Sequence, residues 1–322
     1  MKHINRINEI IMKRFFFFLI VCVVFSAANA QQDPQYTQYM YNTQVVNPGY
    51  VGSRDVMSFG LLYRTQWVNF NGAPKTGTFT FNTPIGNLDQ MGLGLSIVSE
   101  EIGPANESNV NVDYSYSIKT SEIGKLSFGL KAGLDILNVD FTKLNIYDEN
   151  DPKFQENIDN NLQPQIGLGL YYNTDKFYAG VSVPNFLRSK HYDEGSLNNA
   201  NISSVARERQ HYFFITGYVF DLSSNLKFKP ATLVKVVNGS PLQWDFSANF
   251  LIYEKFTVGA GYRWSAAISG LVGFQASDSI FLGFAYDYQT TDIESYSSGS
   301  YEFMIRFEIF NNPEAIVAPR FF

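Results

Sequence analysis

Few residues in this 322-residue chain have the chemistry of a catalyst or a metal ligand. Histidine occurs only at His3, His191 and His211, and the single cysteine is Cys22. None has a second histidine or cysteine at ligand spacing, which argues against a zinc centre. No Gly-x-Ser-x-Gly elbow, phosphate-binding loop or dinucleotide fingerprint is present. Nucleophilic catalysis needs a base beside its nucleophile, and His211, the one histidine in a strand pattern, has no partner that the sequence reveals. The cluster Tyr147-Asp148-Glu149-Asn150-Asp151 offers oxygen ligands for weak calcium binding. It lacks the glycine and the distal glutamate of an EF-hand loop, and reads as a solvated loop. The expectation is a non-enzyme with no cofactor and no metal.

The remaining charges are ordered by period. Asp113, Lys131, Asp135, Arg263, Asp287, Glu302, Arg306 and Glu308 all fall on one phase of segments that alternate every second residue. Phe256, Val258, Ala260, Tyr262 and Trp264 are apolar, whereas Thr257, Gly259, Gly261 and Arg263 between them are small or polar. The pattern returns in Ile280, Leu282, Phe284, Tyr286 and Tyr288, and in Tyr301, Phe303, Ile305 and Phe307. Period-2 alternation marks a strand with two different environments. Each run is about 9 to 11 residues, enough to cross a bilayer as a tilted strand. Aromatics near the run ends suit interfacial girdles. Charges of both signs on the inner face can tune a channel. Alternatively they pair with one another or with a segment lodged inside, for which the many inward Gly, Ser and Thr leave room.

These features predict an antiparallel transmembrane β-barrel of about 14 strands, an even number as in single-chain bacterial barrels. A water-soluble β-sandwich also alternates, but other properties favour the barrel. Aromatics make up 16% of the chain, and the mean hydropathy is only −0.12, as expected where a polar lumen face cancels a lipid face. Past the N-terminus no apolar run is long enough for a transmembrane helix. Residues 1–30 read as a secretory signal peptide, with basic Lys13 and Arg14, an apolar core, and cleavage after Ala28-Asn29-Ala30 to leave Gln31 first. Cys22 lies in that core, so the mature chain has no disulfide. The net charge of −6, without a basic cluster, argues against nucleic acid as a partner.

Residues 31–54 form an irregular aromatic and Gln-rich segment, expected on the periplasmic side and folded into the barrel mouth. Residues 55–310 form the barrel and 311–322 a tail. Connections after odd strands are mostly long, the largest being 139–161 and 184–209, and those after even strands mostly short. Long outer loops and short periplasmic turns would put both barrel termini in the periplasm. Pro230 is awkward inside a strand, since it removes a ladder donor, and predicts a bulge or a shifted boundary.

One stretch is less generic. Gln32-Asp33-Pro34-Gln35-Tyr36-Thr37-Gln38-Tyr39-Met40-Tyr41-Asn42, followed by Asn47-Pro48-Gly49-Tyr50-Val51-Gly52, resembles the mature N-terminus of the PorP/SprF family. These are outer-membrane proteins of the Bacteroidota type IX secretion system. Arg64-Thr65-Gln66-Trp67, His211-Tyr212-Phe213, Gly259-Ala260-Gly261-Tyr262-Arg263 and Ser298-Gly299-Ser300-Tyr301-Glu302 extend the resemblance over the mature chain. Gly49 and Tyr301 depart from it, where Ala and His are usual. The resemblance implies a non-enzymatic barrel, embedded in outer-membrane lipid, that supports export or surface retention of proteins with a type IX C-terminal signal, gliding adhesins among them. It also implies contact with periplasmic and peptidoglycan-linked components of that system. Partner binding is expected at Gln35, Tyr36, Tyr39, Met40, Tyr41, Asn47, Pro48, Arg64 and Trp67, unless these residues only seal the barrel mouth. The rival reading is an outer-membrane channel or porin for small solutes.

Overall fold

The computed structural model describes residues 34–86, 90–144, 157–187 and 210–310. The strands follow in chain order: β1 (Met57–Thr65), β2 (Lys75–Ile85), β3 (Met91–Ile102), β4 (Ala105–Lys119), β5 (Lys125–Val139), β6 (Ile158–Asn173) and β7 (Phe177–Val183). Then come β8 (His211–Tyr218), β9 (Phe220–Ser223), β10 (Leu226–Val237), β11 (Gln243–Ile252), β12 (Phe256–Arg263), β13 (Ala267–Ser277), β14 (Ile280–Gln289) and β15 (Ser300–Ile309). Each pairs antiparallel with its neighbours, and β1 pairs with β15 from Met57↔Ile309 to Thr65↔Tyr301, which closes the ring. The short β9 continues β8 along the same partner, β10, so the barrel has 14 staves.

Alternation dictates which way each side chain points. On β4, Val110, Val112, Tyr114 and Tyr116 are exposed while Asn111, Asp113 and Ser115 are buried. On β15, Phe303, Ile305 and Phe307 point out while Glu302, Arg306 and Glu308 point in. Dozens of large apolar side chains therefore cover the outer wall and the charges fill the interior, the reverse of a water-soluble protein. Only a lipid surround makes this arrangement favourable, because the closed ladder leaves no backbone group unpaired toward hydrocarbon.

Three boundaries differ from the alternation. The third connection, expected to be long, is the two-residue turn Gly103-Pro104, because β3 and β4 stay paired out to Ile102↔Ala105. Gly103 has φ +56 there, a conformation that favours glycine. β6 begins at Ile158, earlier than its apolar alternation, since the polar residues after Ile158 pair with the end of β5 beyond the apolar belt. Pro230 lies inside β10 opposite Ala248. The interruption it demands falls on the neighbouring strand, where Val219 separates β8 from β9 and donates instead to Lys176 O at 2.9 Å.

The sequence reading folds the N-terminal segment into a barrel mouth; residues 34–56 instead run through the lumen as a strap. Gln35 meets Gln243 at the start of β11, the end with the long connections, and Arg54 meets Glu308 at the finish of β15, the end with short turns. The strap includes one helical turn, Thr43–Val46, and a 3-10 turn, Pro48–Tyr50. It goes inside because its Tyr, Gln, Asn and Thr match a wall that is itself polar and lined with tyrosines. Tyr36, Tyr39, Met40, Val46 and Tyr50 cluster with the wall residues Tyr171, Tyr178, Phe213 and Ile215.

Candidate functional site

The interface between strap and wall is the most elaborated polar site among the described residues, and it is built on three levels. At the long-connection end, β1, β14 and β15 bring Arg64, Asp287 and Glu302 together. Arg64 Nη2 lies 2.6 Å from Asp287 Oδ2, and Nη1 lies 3.1 Å from Glu302 Oε2. The strap completes this triad. The Thr37 and Gln38 amides donate to Glu302 at 2.9 and 2.8 Å. The Thr37 hydroxyl accepts from Arg64 at 2.8 Å and donates to Asp287 at 2.7 Å. Arg263 pairs with Asp245 at 2.5 Å and donates to Tyr36 O at 3.4 Å. Buried charges are tolerable only when paired and hydrogen-bonded in this way.

At mid-depth Gln44 docks on the backbone of the wall. Its amide nitrogen lies 3.1 Å from both Phe81 O and Leu95 O and 3.2 Å from Asp113 Oδ2, and its oxygen accepts from Asn82 at 3.1 Å. Asp113 is also paired with Lys131 at 3.1 Å. Asn47 donates to Leu170 O at 3.0 Å and accepts from Gly49 N at 2.9 Å. Glycines make room for this contact. A Cβ on Gly129 would stand 2.1 Å from Gly49 N, and one on Gly169 2.2 Å from Asn47 Oδ1. The strap backbone thus lies where inward side chains would otherwise be.

At the short-turn end Arg54 forms an ion pair with Glu308, and Arg306 lies 3.6 Å from the same carboxylate. The Arg306 guanidinium stands 4.7 Å from the Phe281 ring centroid, and the Lys229 ammonium 5.2 Å from that of Tyr41, in cation–π geometry. The void left beside the strap, between Val45, Lys131, Gln165 and Phe213, measures about 70 Å³, room for a few water molecules.

All the residues expected to bind a partner, apart from Trp67, lie on this one interface. Tyr36, Tyr39, Met40, Asn47, Pro48 and Arg64 are buried, and Gln35 and Tyr41 are partly covered. Trp67 stands apart on the first long connection, at φ +44, with its backbone N–H donating to Ser300 Oγ at 3.1 Å. It borders a cleft of about 670 Å³ shared with Phe70, Lys75, Glu101 and Lys143. His211 is buried and inward at the start of β8, with its ring 6.4 Å from Phe213. Ala28, Ala30, Gln31, His3, His191, the Tyr147–Asp151 cluster and the tail 311–322 lie outside the described residues. Among the described residues no group of three potential metal ligands occurs.

Sequence reasoning missed Gln44, Arg54, Lys229, Lys235 and Asp245. The last three share the inward phase of β10 and β11, so strict parity would have found them. Gln44 and Arg54 lie in the aperiodic strap, which has no such signal.

Comparison with known proteins gives a fold likeness and a family. Acinetobacter baumannii outer membrane protein Omp33 is 11% identical over 80% of this chain and 100% of its own, with a TM-score of 0.47. A Pseudomonas aeruginosa FadL homologue is 11% identical over 86% and 95%, with a TM-score of 0.45. The NanC porin is 9% identical over 79% and 99%, with a TM-score of 0.40. No curated protein matches. A family model described as "Type IX secretion system membrane protein PorP/SprF" matches residues 28–307.

Proposed function

This chain belongs to the PorP/SprF family of type IX secretion system membrane proteins, and on that premise we propose that it is a non-enzymatic outer-membrane barrel supporting secretion or cell-surface anchoring of a partner protein with a type IX C-terminal signal, a gliding adhesin being the candidate class. One observation carries this reading: the strap runs through the lumen and is fastened to the wall at three depths. A channel for small solutes needs a continuous hydrated path, and a strap bound along the lumen narrows such a path, which supports the secretion reading over that rival. The chain then acts through its two rims. The long-connection end faces outward and meets the secreted partner. The short-turn end, with both strand termini, faces the periplasm of a Bacteroidota cell and meets the peptidoglycan-linked components. Residues 1–30 serve as a signal peptide cut before Gln31.

The test is purification of the tagged protein from its own outer membrane in mild detergent, with mass spectrometry of what accompanies it and conductance of the same preparation in a planar bilayer. A secreted protein with a type IX C-terminal domain, in stoichiometric amount with a non-conducting barrel, is expected. A barrel that comes alone and conducts ions overturns the proposal in favour of a channel.

A further inference from the structure

On the outer wall, β1, β2 and β3 carry two recesses, one above the other. The lower is an apolar groove of about 470 Å³ between Leu61, Tyr63, Phe79, Ile97 and Phe303. Gly77 lies in it, and a Cβ there would meet nothing within 4 Å. Leu61, Tyr63 and Phe303 are exposed on the lipid face, so the groove opens to hydrocarbon. The upper recess is the cleft of about 670 Å³ at the long-connection rim, where Trp67 and Phe70 lie. Lys75 lines this cleft and shares the outward phase of Gly77 and Phe79 on β2. At two residues' distance along the strand it stands roughly 7 Å above Gly77.

The loop that forms the cleft is tied down on both flanks. Val68 N donates to Gly299 O at 2.9 Å and Asn69 to Ser298 Oγ at 2.7 Å, while Gly103 N donates to Gly72 O at 3.0 Å. The cleft is therefore preformed, as ligand sites usually are. The charged side chains lining it are Lys75, Lys143 and Glu101, all exposed, two ammonium groups against one carboxylate. Lys75 stands opposite Glu101 in the ladder, yet enters no ion pair among the described residues. We propose that the two recesses form one site for a membrane lipid with a phosphate headgroup, its acyl chain lying over Gly77 and its phosphate beside Lys75 and Lys143. A soluble anion matches the cleft and leaves the groove empty; a purely apolar molecule fills the groove and leaves the lysines unmatched. An amphiphile with an anionic head satisfies both, and Trp67 sits at the headgroup level, where its amphipathic ring is favoured. Which leaflet supplies the lipid follows from the orientation proposed above; the site itself does not depend on it.

Native mass spectrometry of the purified barrel, titrated in detergent with phosphatidylglycerol, tests this. The unaltered barrel is expected to keep one phosphatidylglycerol at a collision energy that strips the rest. Lys75→Gln, an exposed change, should weaken that retention about fivefold, the worth of one lysine beside an anionic lipid. Gly77→Leu, which fills the groove, should abolish it. Gly270→Leu should leave it unchanged, since this outward glycine of β13 has equally open space but no lysine on its strand. The proposal is overturned if Lys75→Gln or Gly77→Leu retains the lipid as the unaltered barrel does. It is equally overturned if uncharged diacylglycerol is retained as well as phosphatidylglycerol, or if inorganic phosphate alone displaces the lipid. Should Gly77→Leu fail to assemble, Lys75→Gln and the diacylglycerol comparison decide.

Discussion

Arg64 separates the two roles its position permits, strap anchor or partner contact. In Arg64→Met the side chain keeps its bulk, but Asp287 and Glu302 lose the cation that sits 2.6 and 3.1 Å from them. Both carboxylates are essentially inaccessible to water, at 1% and 0% exposure. Removing one partner of a buried ion pair costs about 3–5 kcal/mol. Arg263, 4.0 Å from Asp287, and the Thr37 and Gln38 amides still attend the carboxylates, so the lower figure applies. A loss of about 3 kcal/mol is roughly a hundredfold shift in the unfolding equilibrium. Urea unfolding of the purified barrel in detergent, followed by tryptophan fluorescence, measures it. Adding Asp287→Asn to Arg64→Met should return about 1 kcal/mol or more, since contacting residues couple by roughly 0.5–3 kcal/mol. A loss under about 1 kcal/mol, with no effect of the second substitution, would refute the anchoring role. If that stable variant also failed to retain the secreted partner, Arg64 would be a partner contact.

Gly129→Val should force the strap off the wall, because the new Cβ meets backbone atoms that cannot rotate away. The expected loss is about 1–3 kcal/mol together with measurable ion conductance, whereas Gly270→Val, with open space around its Cβ, should change neither. Asn47→Ala removes the side-chain donor to Leu170 O and the acceptor of Gly49 N inside the lumen, for a loss of about 1–3 kcal/mol in the same urea titration. Leu130→Lys, on the lipid face of β5, should cost about 2–4 kcal/mol if that position lies near the bilayer midplane.

The barrel was legible because strand parity is local. Once Leu130 is known to face out, the pleat turns Lys131 in, and the same rule placed Asp113, Asp287, Glu302 and Arg306 in the lumen, where the structure has them. Parity also suffices for Lys229, Lys235 and Asp245, which share the inward phase of β10 and β11. It failed at the strand ends beyond the lipid belt. There Glu100, Glu101 and Asn106 are polar on both phases yet remain paired, since a ladder is held by backbone bonds whatever the side chains.

The strap is different in kind. Its residues were visible as an aromatic, amide-rich stretch, and their family resemblance stood out, but no period says where such a stretch goes. Thr37 finds Glu302 across 265 residues of sequence and Arg54 finds Glu308 across 254. Those partners become neighbours only when β1 meets β15 and the ring closes. The sequence by itself determined a membrane barrel with charges inside, because alternation every second residue is a property of each strand alone. The tertiary structure decided that the strap lies in the lumen, in which direction, and against which glycines, because those facts depend on contacts that exist only after closure.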